Sequence, residues 1–232
     1  MVLRRLYLVP FLWIKLRWYY RHWEDHLEDG FAHVKKIADY GIKGGNVEIA
    51  AEGLENIPEK SGFIYYPNHQ GMFDVMVFLH ISPVPFGFVS KIEVKDIPVL
   101  KETLKITRSE VIDRSDIKQS LGVINNIAKG VMEGRNYLLF AEGTRSRKGN
   151  EVLPFKGGSF KAAQKSKCPI VPVALVDSFI PFDERSIRKT VVKVMVLKPL
   201  YYEDYQNMKS VEIASEVQGR IREAIRQMQQ ES

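Results

Sequence analysis

The sequence has little cysteine, no long apolar run and no serine-hydrolase motif. Cys168 is the one cysteine among 232 residues, so no disulfide forms within the chain and a reducing compartment is expected. No run reaches the roughly 18 apolar residues that a membrane-spanning helix needs. A Gly-x-Ser-x-Gly elbow is also missing, because Gly157-Gly158-Ser159-Phe160 lacks the final glycine. These absences argue against a disulfide scaffold, a membrane-spanning protein and a serine hydrolase.

The composition is that of an ordinary folded domain with an excess of positive charge. Apolar residues make up 45% of the chain and charged residues 27%, and the net charge is +6. This balance favours an anionic partner such as a phospholipid surface, a phosphorylated substrate or nucleic acid. The sequence contains no nucleic-acid-binding motif, so we expect no nucleic-acid partner.

Residues 1–40 differ from the rest of the chain. They contain all three tryptophans, and through residue 21 they carry basic side chains without an acidic one. Apolar residues recur at helical spacing at Leu3, Tyr7, Phe11, Ile14 and Trp18. Aromatic and basic residues together are typical of a helix that lies in a membrane interface. The alternative is a helix packed on its own domain with a solvated basic edge. The N-terminal apolar run is short and lacks a small-residue cleavage site, so no cleaved signal peptide is expected.

From residue 41 the pattern alternates between strands and helices. We predict strands at 47–51, 63–66, 86–90, 110–112, 137–140, 170–175 and 191–197. We predict a helix at 116–133, capped by Ser115, and another at 211–229. The apolar stripe of the first is Ile117, Leu121, Ile124, Ala128 and Val131, and that of the second is Ala214, Val217, Ile221, Ile225 and Met228. The predicted fold is α/β: a single mixed, mostly parallel sheet covered by helices, with an N-terminal interfacial helix pair. The predicted division is into residues 1–40, the membrane-interface helices, and residues 41–232, the main domain.

His69 and Asp74 form the first candidate site. They lie in Tyr66-Pro67-Asn68-His69-Gln70-Gly71-Met72-Phe73-Asp74, between an apolar strand and an apolar helix. Histidine is suited to accept a proton near neutral pH, and an aspartate on its other ring nitrogen fixes the tautomer. Five residues along a straight helix diverge by about 140°. The two side chains can therefore meet only if His69 lies in the turn and Asp74 in the first helical turn.

The second candidate site directly follows the predicted strand at 137–140. Its sequence is Glu142-Gly143-Thr144-Arg145, where the glycine admits backbone amides to an anion and the arginine offers a planar fork to phosphate. The alternative is a solvated basic loop.

Two further cations, Lys91 and Arg114, follow the strands at 86–90 and 110–112. The ordinary interpretation of Lys91 is an exposed lysine on the surface, and that of Arg114 is a member of an ion pair at a strand end. Ligands in open α/β sheets collect at the carboxyl ends of strands. A base, its orienting acid and several cations at such ends suit transfer onto a hydroxyl of a phosphorylated substrate.

The sequence resembles the 1-acyl-sn-glycerol-3-phosphate acyltransferase family. The matching segments, in the family's order over residues 46–200, are the lead-in Ala50-Ala51-Glu52-Gly53-Leu54-Glu55-Asn56-Ile57-Pro58, then Asn68-His69-x-x-x-x-Asp74, Val111-Ile112-Asp113-Arg114, Phe140-Ala141-Glu142-Gly143-Thr144-Arg145-Ser146, and Val171-Pro172-Val173. Two positions depart from the family pattern. Ala141 stands where proline is usual. Ser109-Glu110 stands where the family has a more apolar, glycine-containing start to the motif that continues as Val111-Ile112-Asp113-Arg114.

The resemblance implies a role for each of these residues. His69 would deprotonate the acceptor hydroxyl and Asp74 would orient His69. The implied phosphate-binding residues are Lys91, Arg114 and Arg145, and the implied pocket residues are Asn68, Glu142, Gly143 and Thr144. The family's N-terminal helices lie in one membrane leaflet, which implies a monotopic, peripheral protein on the cytoplasmic face.

The implied reaction moves a fatty acyl group from acyl-CoA or acyl carrier protein to the sn-2 hydroxyl of lysophosphatidic acid, giving phosphatidic acid in phospholipid biosynthesis. It implies no cofactor and no metal. Two alternatives remain open: an acyltransferase acting on another lysophospholipid or on glycerol-3-phosphate, and a non-catalytic basic module that binds membranes.

Overall fold

The computed structural model describes residues 9–113, 115–184 and 188–230. Within these ranges the strands form one seven-stranded sheet in the order β1-β7-β6-β2-β5-β3-β4. The strands are β1 (Val47–Glu52), β2 (Ile64–Pro67), β3 (Phe86–Lys91), β4 (Glu110–Ile112), β5 (Asn136–Leu138), β6 (Ile170–Val176) and β7 (Thr190–Val196). The helices are α1 (Val9–Arg21), α2 (Leu27–Gly44), α3 (Phe73–Ile81), α4 (Leu100–Ile106), α5 (Ile117–Met132), α6 (Lys161–Ser166), α7 (Ile180–Asp183), α8 (Tyr202–Tyr205) and α9 (Ser210–Gln230).

The sheet is mixed but mostly parallel, as predicted. Every neighbouring pair is parallel except β6 and β7, which are antiparallel. Strands β2 to β6 therefore all end at the same edge of the sheet, which we call the carboxyl edge. The predicted α/β fold is confirmed.

Helices cover both faces of the sheet, because its central strands are apolar on both sides. β2 and β6 are buried along their whole length, which matches their uninterrupted apolar sequences. On β2, Ile64 and Tyr66 pack with α5, α6 and α9. Phe63, just before β2, and Tyr65 pack on the opposite face with α1 to α4.

The helix at 116–133 was predicted only in part. Ser115 is not its cap: the Asp116 carboxylate accepts a hydrogen bond from the backbone N–H of Gln119 (3.0 Å). Ser115 instead donates to the carboxylate of Asp113. Of the predicted stripe, Ala128 and Val131 are buried and Ile124 packs against the core, whereas Leu121 is exposed. Val123 and Ile127 are buried as well, because the sheet lies on that side of the helix.

The predicted C-terminal helix is confirmed. Its observed bounds, Ser210–Gln230, differ by one residue at each end from those predicted. All five residues of its predicted stripe are buried against the sheet: Ala214, Val217, Ile221, Ile225 and Met228.

The N-terminal segment forms the helices α1 and α2. α1 buries Leu16 and Tyr19 against the domain and leaves Phe11, Ile14 and Trp18 exposed. Leu3 and Tyr7, the first two residues of the predicted stripe, lie outside the described residues. The predicted division at residue 40 falls within α2, and the separate role of residues 1–40 stays a prediction. Among the described helices, none combines the length and apolar character that crossing a bilayer requires.

Candidate active site

His69 and Asp74 meet at the carboxyl end of β2. His69 lies in the turn after the strand, and Asp74 lies in the first turn of α3. The His69 Nδ1 atom is 2.8 Å from an Asp74 carboxylate oxygen. This is the strand–turn–helix arrangement that the sequence required for their contact. Donation from Nδ1–H to the carboxylate leaves Nε2 as the basic nitrogen.

The Asp74 carboxylate is fully buried and receives several donors besides His69. The backbone N–H groups of Gln70 (2.8 Å) and Gly71 (3.1 Å) donate to the oxygen that contacts His69. The Ser178 hydroxyl, itself buried, donates to the other carboxylate oxygen. A buried carboxylate needs such donors to remain ionised. They also hold it in position beside the imidazole.

Sequence analysis missed Ser178. It lies two residues after the end of β6, at the same carboxyl edge as the residues that were identified. The rule that ligands collect at strand ends would have pointed to it, although nothing in the sequence pairs it with Asp74. Its backbone N–H also donates to the side-chain oxygen of Gln70 (2.8 Å).

The ring of His69 is held by the loop that follows β5. Phe140 stacks on it, with ring centroids 3.9 Å apart and planes 23° from parallel. The Ser146 N–H donates to the His69 carbonyl (2.9 Å). Within the described residues, His69 Nε2 has no hydrogen-bond partner and the side chain is partly exposed, so this nitrogen is available to a substrate.

Asn68 and Glu142 are both buried, and their side chains bond to the backbone. The Asn68 amide accepts from the Leu175 N–H (2.8 Å) and donates to the Leu175 carbonyl (3.0 Å), which joins the turn to β6. The Glu142 carboxylate accepts from the N–H groups of His69 (2.8 Å) and Leu153 (3.2 Å). Both residues thus position loops around His69, and their predicted place in a substrate pocket stays a prediction.

Glu142 has an unusual proton affinity for a carboxyl group. Burial raises its pKa to about 7, and the two backbone donors only partly offset this effect. The group therefore changes charge near neutral pH, next to the backbone of the predicted base.

A second polar chain links the loop after β5 to the turn after β6. The Gln70 amide donates to the Asn150 side-chain oxygen (2.7 Å). Asn150 also donates to the Asp177 carboxylate and accepts from its N–H, each at 2.8 Å. Gln70 and Asn150 were not identified from the sequence. Together they connect three of the strand ends that surround His69.

Two of the three predicted phosphate-binding cations, Lys91 and Arg145, lie at or after the ends of strands that terminate at the carboxyl edge. Lys91 ends β3 and is exposed, and Arg145 immediately precedes Ser146, which bonds to His69. Neither cation forms an ion pair with any described residue, so both can meet an anion. Arg114 lies outside the described residues, although Ile112, which ends β4, pairs with Lys91.

Gly143 and Thr144 separate Glu142 from Arg145. Gly143 has a φ of +71°, and a Cβ there would lie 2.9 Å from the Lys156 ammonium nitrogen. This glycine therefore allows Lys156 to cross the loop and bring a further cation to it. Thr144 is exposed. No group of three metal-ligating side chains occurs among the residues that the structure describes.

Known proteins are similar to this chain in sequence and in fold. The model of the Acyltransferase family matches residues 48–176. A 1-acyl-sn-glycerol-3-phosphate acyltransferase of Borreliella burgdorferi is 33% identical over 57% of this chain and 52% of its own length. The enzymes of that name from Saccharomyces cerevisiae and Escherichia coli are each 28% identical, over 85% and 72% of this chain and 64% and 69% of their own lengths. The chain thus spans about half to two thirds of these relatives.

A solved structure supports the same grouping at the level of the fold. The 1-acyl-sn-glycerophosphate (LPA) acyltransferase of Thermotoga maritima superposes with a TM-score of 0.73, covering 99% of this chain and 98% of that one at 20% identity. The family match contains His69, Asp74 and Glu142–Arg145, whereas Ser178, which donates to Asp74, lies two residues beyond it. On this match the chain belongs to the Acyltransferase family.

Proposed function

We propose that the protein transfers a fatty acyl group from a thioester to the sn-2 hydroxyl of lysophosphatidic acid, giving phosphatidic acid. One observation carries the proposal: His69, oriented by a buried Asp74, presents a free Nε2 at the edge of the sheet where Lys91, which forms no ion pair with a described residue, ends β3. Several relatives are named for this activity, which makes lysophosphatidic acid the first acceptor to test.

The proposed reaction is a single acyl transfer with His69 as general base. Nε2 takes the proton of the acceptor hydroxyl while its oxygen attacks the thioester carbonyl. The tetrahedral intermediate then collapses, the C–S bond breaks, and the leaving thiolate takes the proton back from the imidazolium. Asp74 stabilises the imidazolium without itself becoming protonated. Each proton and electron pair is accounted for without a cofactor.

The cations would hold the acceptor by its phosphate. Arg145 offers a planar fork and Lys91 a point charge, and Arg114 is proposed as a third contact. Gly143 and Thr144 would let the loop approach the phosphate closely. A substrate held at its phosphate presents its free hydroxyl to Nε2 in a defined position, which lowers the entropic part of the barrier.

The acyl donor is proposed to be acyl-CoA or acyl carrier protein, and both present the same thioester. The exposed Phe11, Ile14 and Trp18 on α1 support a peripheral location on a membrane, where the lipid acceptor resides. We place the protein on the cytoplasmic face, where both donors occur.

The test is release of free thiol from palmitoyl-CoA by the purified protein, with and without lysophosphatidic acid. We expect release that depends on the acceptor, and its loss in His69→Ala with an unchanged circular dichroism spectrum. His80→Ala is a matched control, because His80 also bonds to an aspartate, Asp39 (2.7 Å), but lies at the far end of α3.

The same assay separates the alternatives. Full activity in His69→Ala would refute the mechanism. Preference for glycerol-3-phosphate or another lysophospholipid would change the acceptor and keep the chemistry. If no thiol is released from palmitoyl-CoA, the assay is repeated with acyl carrier protein as donor. No release of thiol from either donor would favour a non-catalytic membrane-binding module.

A further inference from the structure

The segment between β3 and α4 exposes apolar side chains that are not buried in the core. Ile97 is 45% exposed and Val99 is 38% exposed, with the exposed Pro98 between them. Single exposed apolar residues are common on protein surfaces. Here three are consecutive, with the exposed Asp96 directly before them and exposed lysines at positions 95 and 101.

Val99 also has an unfavourable backbone conformation. Its φ of 71° and ψ of −48° are rare for any residue other than glycine, and a β-branched side chain makes them costlier. The buried carboxylate of Glu102 holds this turn by accepting from the Val99 N–H (2.8 Å). Strain of this kind persists where the surroundings enforce it, often at functional surfaces.

The same carboxylate connects the turn to the N-terminal helix. Glu102 lies 3.6 Å from the Arg17 guanidinium on α1. Contacts between the two helices advance by three residues on each: Glu102 with Arg17, Lys105 with the ring of Tyr20 (4.6 Å), and Arg108, just after α4, with the ring of Trp23 (5.9 Å). α4 therefore runs alongside α1 in the same direction. Followed backwards, this pairing places the turn at 97–99 beside the first turns of α1.

The first turns of α1 are also apolar and exposed. Phe11 is 70% exposed and Ile14 is 65% exposed. On the pairing of α1 with α4 they adjoin Ile97, Pro98 and Val99, and we call these five residues the apolar end. The exposed charged residues that flank these side chains in sequence are three lysines, Lys15, Lys95 and Lys101, and one acid, Asp96. Apolar side chains flanked by an excess of lysines match the acyl region and the phosphates of an anionic lipid surface.

The apolar end lies at the same edge of the sheet as His69. β3 ends at the carboxyl edge with Lys91, and the turn follows within a few residues. α4 then returns the chain to the start of β4, which is parallel to β3. The beginning of α4, and with it the turn, must therefore be near the carboxyl edge.

We infer that residues 95–100 are a second lipid-contacting element, which inserts beside α1 and brings the carboxyl edge to the membrane. The segment joins the lipid surface directly to Lys91, a proposed phosphate-binding residue. For the identity of the substrate this inference rests on the proposed function, whereas the lipid contact does not depend on it.

The test is binding of the full chain to vesicles of phosphatidylcholine and phosphatidylglycerol, measured by co-sedimentation. Ile97→Asp should weaken binding about tenfold, through the lost apolar contact and the added negative charge. Val99→Gly should weaken it about threefold while leaving the melting temperature equal or higher, because glycine relieves the positive φ. A merely structural role for Val99 would instead lower the melting temperature and leave binding unchanged.

Met132→Asp is the matched control. Met132 is 64% exposed at the end of α5, which packs on the opposite face of the sheet. This variant should bind vesicles as the original chain does. Equal binding by all variants, or equal weakening in Met132→Asp, would overturn the inference.

Activity assays separate this inference from the proposed function. With long-chain lysophosphatidic acid in vesicles, Ile97→Asp should lose about tenfold in rate. With a short-chain, monomeric acceptor it should match the original chain. If the original chain turns over no acceptor, the proposed function fails, while the vesicle-binding result still decides the lipid contact. Normal vesicle binding with reduced use of acyl carrier protein would reassign the segment to carrier binding and overturn the inference.

Discussion

Replacing Ser178 with alanine should slow catalysis without weakening substrate binding. The Ser178 hydroxyl donates to the buried carboxylate of Asp74, on the oxygen opposite to the one that contacts His69. A hydrogen bond to a charged group contributes about 1.5–3 kcal/mol. About 1.36 kcal/mol corresponds to a tenfold change in rate. If the whole contribution of this hydrogen bond were lost in the transition state, kcat would fall about 10- to 150-fold.

The structure favours the lower end of this range. Asp74 keeps the backbone donors of Gln70 and Gly71, so it stays solvated and near His69 when the hydroxyl is removed. We therefore expect kcat to fall about tenfold. The acceptor KM should not change, because the cations proposed to bind phosphate are elsewhere.

The assay is steady-state thiol release at varied acceptor concentration, with thermal melting as a check of folding. Ser82→Ala is the matched control: this serine is equally buried, but its hydroxyl bonds to the Val84 carbonyl and the Tyr65 hydroxyl. It should lower the melting temperature and keep kcat. An unchanged kcat in Ser178→Ala, or a rise in KM alone, would refute the positioning role of Ser178.

Two further predictions concern the loop after β5. Arg145→Ala should raise the acceptor KM about 10- to 100-fold, because it removes a charged contact to the phosphate. Lys148→Ala should leave KM unchanged, because the Lys148 ammonium is already paired with Glu151 (3.5 Å). Equal KM values in the two variants would show that Arg145 is not part of the phosphate site. Glu142, with a pKa raised from 4.5 to about 7, binds its proton more tightly in the folded state than in the unfolded state, so stability should fall as pH rises from about 4.5 to 7. In Glu142→Gln this part of the pH dependence of the melting temperature should disappear, and an unchanged slope would show that another group is responsible.

The strands and the long amphipathic helices were predictable because their signals are local. The uninterrupted apolar sequence of β6 and the regular stripe of α9 reflect burial on two faces and on one face, respectively. The stripe of α5 was predicted correctly at Ala128 and Val131 and wrongly at Leu121, because the helix contains more apolar residues than its buried face needs. Only the position of the sheet decides that Val123 is covered while Leu121 is exposed.

The candidate site divides in the same way. His69, Asp74 and Arg145 could be identified because each follows or flanks a recognisable strand and carries a distinctive chemistry. Ser178, Gln70 and Asn150 have common polar side chains whose role depends on partners about 30 to 110 residues away, as in the contacts of Gln70 with Ser178 and of Asn150 with Asp177. No local pattern marks such pairs.

The sequence by itself determined the α/β class, the family resemblance and the pairing of His69 with Asp74, because a five-residue turn between a strand and a helix leaves that pair one geometry. The tertiary structure alone decided which donors hold Asp74 and which apolar residues of α1 stay exposed. These features depend on how strands distant in sequence are ordered in the sheet and which helix faces meet it, and that order is set by packing of the whole chain.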